Sequence, residues 1–373
     1  MTDQQEHHRH PIGVPLAEEA EALVNPNAAV DIPPPDQMSL MRRMREPRTI
    51  LSIVVPLAII VIAAFLNRND LAEIPSDIQQ ANPGLLLAAF AIYYVGFPLR
   101  GWRWTKLLKG AGYKVKVKDG TEILFLSWLV NCIVPAKLGD LYRAYLLKLN
   151  SPVSATKTLG TVFMERILDL IAVAALGLVA GYWRFRDNLG PVQGIIALAL
   201  AVLVVLIVAL LVMRSFGRRI MAKLPLPARV VEFYERFEEG VFASVGLRGL
   251  PLLGVLTIVI WMTEALRLYF VIRALGFSDT DLGFSGAMFL ALIGSLLTAI
   301  PLTPGGLGLV EFGMLGVLQT VFKTIQPHAA AVVLVDRSIS VFSIVIIGSI
   351  AYVLSSLPRG RGIVVEEVPA AGP

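Results

Sequence analysis

The sequence predicts an all-α polytopic membrane protein, and three observations carry that prediction. Of the 373 residues, 55% are hydrophobic and only 16% charged, where a soluble chain of this size carries about a quarter charged residues. The apolar residues fall in runs long enough to cross about 30 Å of hydrocarbon as helices. Two further runs are interrupted by proline and glycine, which stop a helix and leave irregular backbone at membrane depth.

Residues 1–48 are polar, contain Pro33, Pro34 and Pro35 in succession, and show no apolar period, so they read as a disordered N-terminal tail. His7, His8 and His10 lie there, where no fixed ligand geometry supports a metal site. No cleavable signal peptide is expected ahead of the first apolar run. The membrane domain is read over 49–355, followed by a short tail over 356–373. Within it about six segments are expected to cross fully: Thr49–Leu66, Pro83–Leu99, Gly160–Tyr182, Pro191–Met213, Leu250–Leu275 and Ala329–Ser355. Two stretches differ: Thr121–Leu149 is broken at Pro135–Asp140, and Phe284–Phe322 at Pro301–Gly308. Each reads as a helical hairpin that enters and leaves on one face, or as a broken crossing.

Positive charge marks the cytoplasmic side of a membrane protein. With both broken stretches re-entrant and the N-terminus inside, the cytoplasmic segments include Met41–Arg48 with four arginines, Arg100–Lys118 with seven lysines or arginines, and Arg214–Arg248 with seven. The outer loops are then acidic, with Asp70, Glu73 and Asp77 in one and Asp279 and Asp281 in the other. Only the short loop with Arg184 and Arg186 opposes this arrangement. The expectation is a cytoplasmic (inner) membrane protein with both termini cytoplasmic. Because the basic residues sit in short stretches between apolar runs, the net charge of +5 does not point to nucleic acid. Val230, Tyr234, Phe237 and Val241 recur at helical spacing between charged residues, which predicts an amphipathic helix on the inner membrane surface or in a linker. The single cysteine, Cys132, builds neither a disulfide nor a zinc site, and no cofactor is expected.

A shift of 171 residues lays one broken stretch and its following helix over the other. Asp140 falls on Glu311, Glu165 on Asp336, Arg166 on Arg337, Gly177 on Gly348 and Ala180 on Ala351. The acid after each break precedes its arginine by 26 residues. Three full crossings separate the two re-entrant stretches on this topology, so the repeat would be inverted, as in secondary transporters.

Charges at mid-helix cost at least about 2.5–3.5 kcal/mol each on insertion scales, so each needs a reason. Glu165, Arg166 and Asp169 are spaced to place the two acids on either side of the arginine on one helix face. In the last helix Asp336 and Arg337 repeat the pattern, with Ser340 at the position of Asp169. Asn131, Asp140, Arg143, Glu264, Arg267, Arg273 and Glu311 add further polar groups. One reading is that these groups only pair with one another and fix helix packing. The functional reading starts from Gly139 and Gly308, each at the start of a half-helix whose free N–H groups carry partial positive charge. Two such ends beside Arg166 and Arg337, with Gly305 and Gly306 in the second break, form an expected cradle for a lipid phosphate. Asp140, Glu165, Glu311 and Asp336 would neutralise the arginines when the cradle is empty, or receive a cationic headgroup or a proton.

At these residues the chain resembles the flippase-like transmembrane family of lysylphosphatidylglycerol synthases. The resemblance rests on Pro135-Ala-Lys-Leu-Gly-Asp140 followed by Arg143, on Glu165-Arg166 with Asp169, on Pro304-Gly-Gly-Leu-Gly-Leu-Val-Glu311, and on Arg337, and covers roughly 50–355. Family members commonly show Gly-Glu where this chain has Gly139-Asp140, which keeps the acid. The resemblance implies movement of an aminoacylated or other anionic phospholipid between leaflets. Bifunctional members carry a soluble synthetase after the membrane part, so lysyl transfer is not expected of this chain.

The leading expectation is therefore a lipid flippase or lipid-binding transporter acting on a membrane phospholipid or lipid-linked phosphate, compatible with a homo-oligomer. A membrane-embedded glycolipid or polyprenyl-phosphate sugar enzyme is the second reading, with Asp279-Thr280-Asp281 as a short metal-holding motif or merely an acidic turn. A scaffold subunit of a lipid-synthesis complex is the third. No Ser/His/Asp or Cys/His constellation supports hydrolysis. No Gly-x-x-x-x-Gly-Lys-Ser/Thr loop occurs, so energy would come from a gradient or a partner.

Overall fold

Asn82 opens the first long helix of the bundle. Its side-chain oxygen accepts hydrogen bonds from the backbone N–H groups of Gly84 and Leu85 at 2.9 and 3.2 Å. Pro83 takes the first helical position, where a missing N–H donor leaves nothing unpaired. The computed structural model describes residues 74–370 apart from 187–189, 191–192, 226, 281 and 301. The N-terminal tail and the expected span Thr49–Leu66 lie outside the described residues.

In chain order the helices are α1 (Ile74–Gln80), α2 (Pro83–Gly110), α3 (Val117–Ile133), α4 (Leu138–Asn150), α5 (Ala155–Phe185), α6 (Gln193–Lys223), α7 (Ala228–Ala243), α8 (Leu250–Leu275), α9 (Gly283–Ala299), α10 (Leu309–Thr320), α11 (Gln326–Arg337) and α12 (Ser343–Leu354). A π-helical turn, Ser338–Phe342, makes α11 and α12 one continuous run. Strands β1 (Tyr113–Lys114) and β2 (Glu366–Glu367) form a short antiparallel ladder.

The chain is a helical, multi-pass integral membrane protein. Helix α2, residues 196–217 of α6, α8 and the α11–α12 run are long and apolar enough to span a bilayer. Leu198, Val204, Val205 and Leu211 on α6 and Ile346, Ile350 and Val353 on α12 are exposed, a surface that suits hydrocarbon and would be costly in water. Inside, α2 packs along α8, and α9 fills the space against α5 and α8. Tyr93, Phe97, Leu124, Leu268, Leu290 and Val332 belong to one buried cluster that joins α2, α3, α8, α9 and α11.

Two elements depart from the expected layout. Helix α2 does not end at Leu99 but continues to Gly110. It carries Arg100 and Arg103 into the interior, at 5% and 1% exposure. The basic loop therefore begins only after Gly110, because acids on neighbouring helices receive the two arginines. The amphipathic segment is α7, and part of its apolar face is covered by protein: Val241 is fully buried, and Phe237 lies 5.2 Å from Phe163 of α5. Gly160 and Gly240 let the two backbones touch; a Cβ on either would run into a carbonyl of the other helix, that of Phe237 or Lys157.

The broken stretches fold alike. Helices α3 and α9 each have 17 residues, and the half-helices after the breaks, α4 and α10, have 13 and 12. Each half-helix is preceded by a cap residue with positive φ, Lys137 at 51° and Gly308 at 85°. The second break meets this requirement with Gly305, Gly306 and Gly308, whereas the first uses Ala136 and Lys137, conformations that cost L-residues about 1–2 kcal/mol each. After α12 the chain turns back onto the first half. Arg361 pairs with Asp119 at 2.6 Å and Glu122 at 3.2 Å, and the Ile363 N–H bonds the Asn150 carbonyl at 2.8 Å.

The α5–α7 contact is testable. Gly240→Leu forces the helices apart and should lower stability by about 1–3 kcal/mol, read as a lower melting temperature in detergent. Substitution at Gly254, where a Cβ meets nothing within 4 Å, should leave it unchanged.

Candidate functional site

The two breaks place an acid and an arginine together in each half. Asp140, in the first turn of α4, accepts from Arg166 of α5 at 2.9 Å (Nε) and 2.6 Å (Nη2). Glu311, in the first turn of α10, accepts from Arg337 Nε at 2.6 Å, and Arg337 Nη2 donates to the Gly305 carbonyl at 2.5 Å. Both acids sit at a helix N-terminus, where the backbone dipole favours a carboxylate. The expected free N–H groups are partly used by the protein itself. The Gly139 N–H donates to Asn131 Oδ1 at 2.9 Å, and the Gly308 N–H to Glu311 Oε2 at 2.6 Å. Gly139 also packs so close to the Ser127 carbonyl that no Cβ fits.

The expected grouping of Glu165 and Asp169 around Arg166 is not what forms. Adjacent helical residues point about 100° apart, and Glu165 faces away from Arg166. Glu165 accepts from Arg103 at 3.0 Å and from Arg143 at 2.7 Å. Asp169 accepts from Arg103 at 2.6 and 3.0 Å and from Trp261 at 3.2 Å. The second half repeats this division. Asp336, beside Arg337, is ion-paired with Arg267 of α8. Glu264 lies between Arg100 at 2.6 Å and Arg267 at 3.1 Å. In each half, then, the acid–arginine dyad splits: the arginine turns to its break, and the acid turns to an arginine of the helix preceding the broken hairpin.

One cavity of about 160 Å³ lies where the breaks meet. Gly305 of the second break faces Cys132 at the end of α3. Of the expected site residues, Arg166, Arg337, Asp169, Asp336, Gly305 and Gly306 line this cavity. Asp140, Glu311, Glu165, Arg143, Gly139 and Gly308 are not on its wall. The first two hold the cavity arginines, Glu165 is held by Arg103 and Arg143, Arg143 is fully buried against Trp104, and the two glycines fix the breaks. The wall also carries Arg100, Lys137, Glu264 and Arg267, with Tyr93, Trp128 and Trp261. Of these, Glu264 and Arg267 stand out in the sequence as mid-helix charges, but Arg100 and Lys137 do not. Ser340, in the π-helical turn, lines it too, and its carbonyl accepts from the Tyr93 hydroxyl at 2.8 Å.

The lining face of α5 continues into an apolar groove. Arg166 and Asp169 border the cavity, and Leu170, Val173, Ala174 and Gly177, at helical spacing along the same face, border a groove of about 50 Å³ shared with Ile196 of α6 and Phe289 and Leu292 of α9. Polar and apolar surfaces thus adjoin along one helix. Asp279 lies elsewhere and has structural work: its carboxylate accepts from the Ile325 N–H at 2.8 Å and contacts His328 at 2.6 Å, closing the start of α11. Asp281 lies outside the described residues.

Comparison with known proteins gives consistent matches. The family profile described as the lysylphosphatidylglycerol synthase TM region matches residues 49–348. A UPF0104 membrane protein of Methanocaldococcus jannaschii is 38% identical over 226 residues, covering 60% of this chain and 92% of that protein. A UPF0104 membrane protein of Methanothermobacter thermautotrophicus is 26% identical, covering 79% of this chain and 90% of its own length. Glycosyltransferase AglD of Haloferax volcanii is 27% identical over 356 residues, covering 86% of this chain and 56% of its own.

Arg103 is the largest test of the buried network, since Glu165 and Asp169 both depend on it. Arg103→Met leaves two buried carboxylates underpaired and should destabilise the purified protein by about 3–5 kcal/mol. Adding Asp169→Asn should recover part of the melting temperature, as a charge imbalance requires and a simple packing defect does not.

Proposed function

The chain belongs to the lysylphosphatidylglycerol synthase transmembrane family, and on that premise we propose that it takes the phosphate of a membrane lipid into the central cavity and moves that lipid between leaflets. The observation that carries this reading is the adjacency of a cationic cavity and an apolar groove along α5. Arg166 and Arg337 offer planar forks suited to phosphate oxygens, while the groove accepts hydrocarbon. A free phosphate would need only the first surface; an amphiphile uses both.

The two hairpins, each with an acid-held arginine at its break, support an inverted repeat whose re-entrant elements meet at mid-membrane, an arrangement that recurs in transporters. On this reading six full crossings, with Thr49–Leu66 as the first, place both termini on the cytoplasmic side of the inner membrane. Asp140 and Glu311 hold the two arginines, and an arriving phosphate competes for the same donors. A second reading is favoured by the likeness to a protein named as a glycosyltransferase, of which this chain spans little more than half: the cavity would present a polyprenyl phosphate to a sugar-transfer reaction. As a scaffold subunit alone, the protein would need no lipid site.

Mass spectrometry of lipids retained on the gently purified protein distinguishes these readings. One phosphate-bearing lipid class should be enriched on the wild type and lost from Arg166→Ala/Arg337→Ala. The same double variant in vesicles should no longer translocate a fluorescent analogue of that lipid. Equal, unselective lipid on both proteins would overturn the transport reading in favour of a scaffold. Retention of a polyprenyl phosphate without translocation would favour the second reading.

A further inference from the structure

We infer that the headgroup this cavity takes carries an anionic phosphate and no ammonium group, so that an aminoacylated phospholipid is refused. The inference deepens the reading above and rests on it. Its basis is which groups on the cavity wall remain without a partner.

The three wall carboxylates are all engaged by guanidinium groups. Asp169 is held by Arg103, Glu264 by Arg100 and Arg267, and Asp336 by Arg267. Behind the wall, Asp140 and Glu311 are held by Arg166 and Arg337. The wall groups left without a partner among the described residues are the Lys137 ammonium, one nitrogen of Arg100 and the Ser340 hydroxyl, so both charged ones are cationic. Lys137 lines the cavity and is only partly exposed; its carbonyl accepts from the Asp140 N–H at 3.1 Å, but its ammonium group has no ion pair or hydrogen bond among the described residues. Arg100 is 5% exposed, and its Nη1 is buried without a hydrogen-bond partner. A buried donor left unpaired costs about 1–3 kcal/mol, so this end of the cavity lacks an acceptor rather than a donor.

An ammonium group brought to the same place finds its carboxylates already bound to arginine. It also meets Lys137 as a like charge, and discrimination of this kind works by repulsion as much as by attraction. The position of Lys137 makes the effect local. It is the left-handed residue that caps α4, three residues before the Asp140 that holds Arg166, so its charge is delivered at the first break.

The test is competition in phosphatidylcholine nanodiscs containing equal amounts of phosphatidylglycerol, lysyl-phosphatidylglycerol and undecaprenyl phosphate, with native mass spectrometry of the retained lipid. Phosphatidylglycerol or undecaprenyl phosphate should exceed lysyl-phosphatidylglycerol by at least about tenfold, and whichever is retained says whether the phosphate comes on a diacylglycerol or a polyprenyl chain. Lys137→Met, which breaks no ion pair and should melt like the wild type, should shrink that preference to about twofold or less. Lysyl-phosphatidylglycerol retained equally well or better, or a Lys137→Met preference equal to that of the wild type, would overturn the inference while leaving a lipid site in place. If the wild type enriches none of the three lipids over phosphatidylcholine, the lipid site itself fails and the inference with it.

Discussion

Charge buried in a membrane protein must find its opposite, and the bundle is organised around that requirement. Helix α5 carries Glu165, Arg166 and Asp169 within one and a half turns, and none of the three pairs with another. Each is claimed from a different direction: Arg166 by the hairpin α3–α4, Asp169 by Arg103 of α2, and Glu165 by Arg103 and Arg143 together. These bonds fix the rotation of α5 about its axis and the depth of α2 beside it. An ion pair in such surroundings gains little over an apolar contact but loses heavily when one member is absent, so the network specifies geometry more than it adds stability.

The second half solves the same problem with different residues. Arg337 turns to Glu311 and Asp336 to Arg267, while Ser340 stands where the first half has Asp169. The halves differ most at the breaks. Four residues, 134–137, separate α3 from α4, but nine, 300–308, separate α9 from α10. The short break holds two L-residues in left-handed backbone, and the long one holds glycines. The cavity is therefore bounded by one taut turn bearing a lysine and one loose turn bearing Thr303 and glycines, which places its unpaired cation on a single side.

The breaks, their acids and the arginines 26 residues later were legible in the sequence because proline, glycine and intramembrane charge are conspicuous against apolar runs. Their pairing, Asp140 with Arg166 and Glu311 with Arg337, follows the repeat that the 171-residue shift describes. The partners of Glu165 and Asp169 were not legible. Arg103 lies in a stretch dense in lysine and arginine, and a one-dimensional reading cannot separate an arginine neutralised by a distant helix from one in water. The helix was therefore expected to stop at Leu99, although its hydrogen-bonded backbone runs to Gly110. The role of Lys137 is hidden for a related reason: flanked by Pro135 and Gly139, it reads as part of a turn rather than as a charge facing a cavity.

The pairing of Arg103 with acids 62 and 66 positions later has a consequence for biogenesis. A helix entering the bilayer during synthesis is assessed partly by its own hydrophobicity, and each unpaired charge at mid-depth weighs about 2.5–3.5 kcal/mol against entry. Helix α2 emerges with two arginines long before α5 and α8 supply their counter-charges. The insertion energy of α2 taken alone and that of α2 beside α5 and α8 therefore differ by the cost of those charges, so the hydrophobicity of the helix by itself understates how well it sits in the finished bundle.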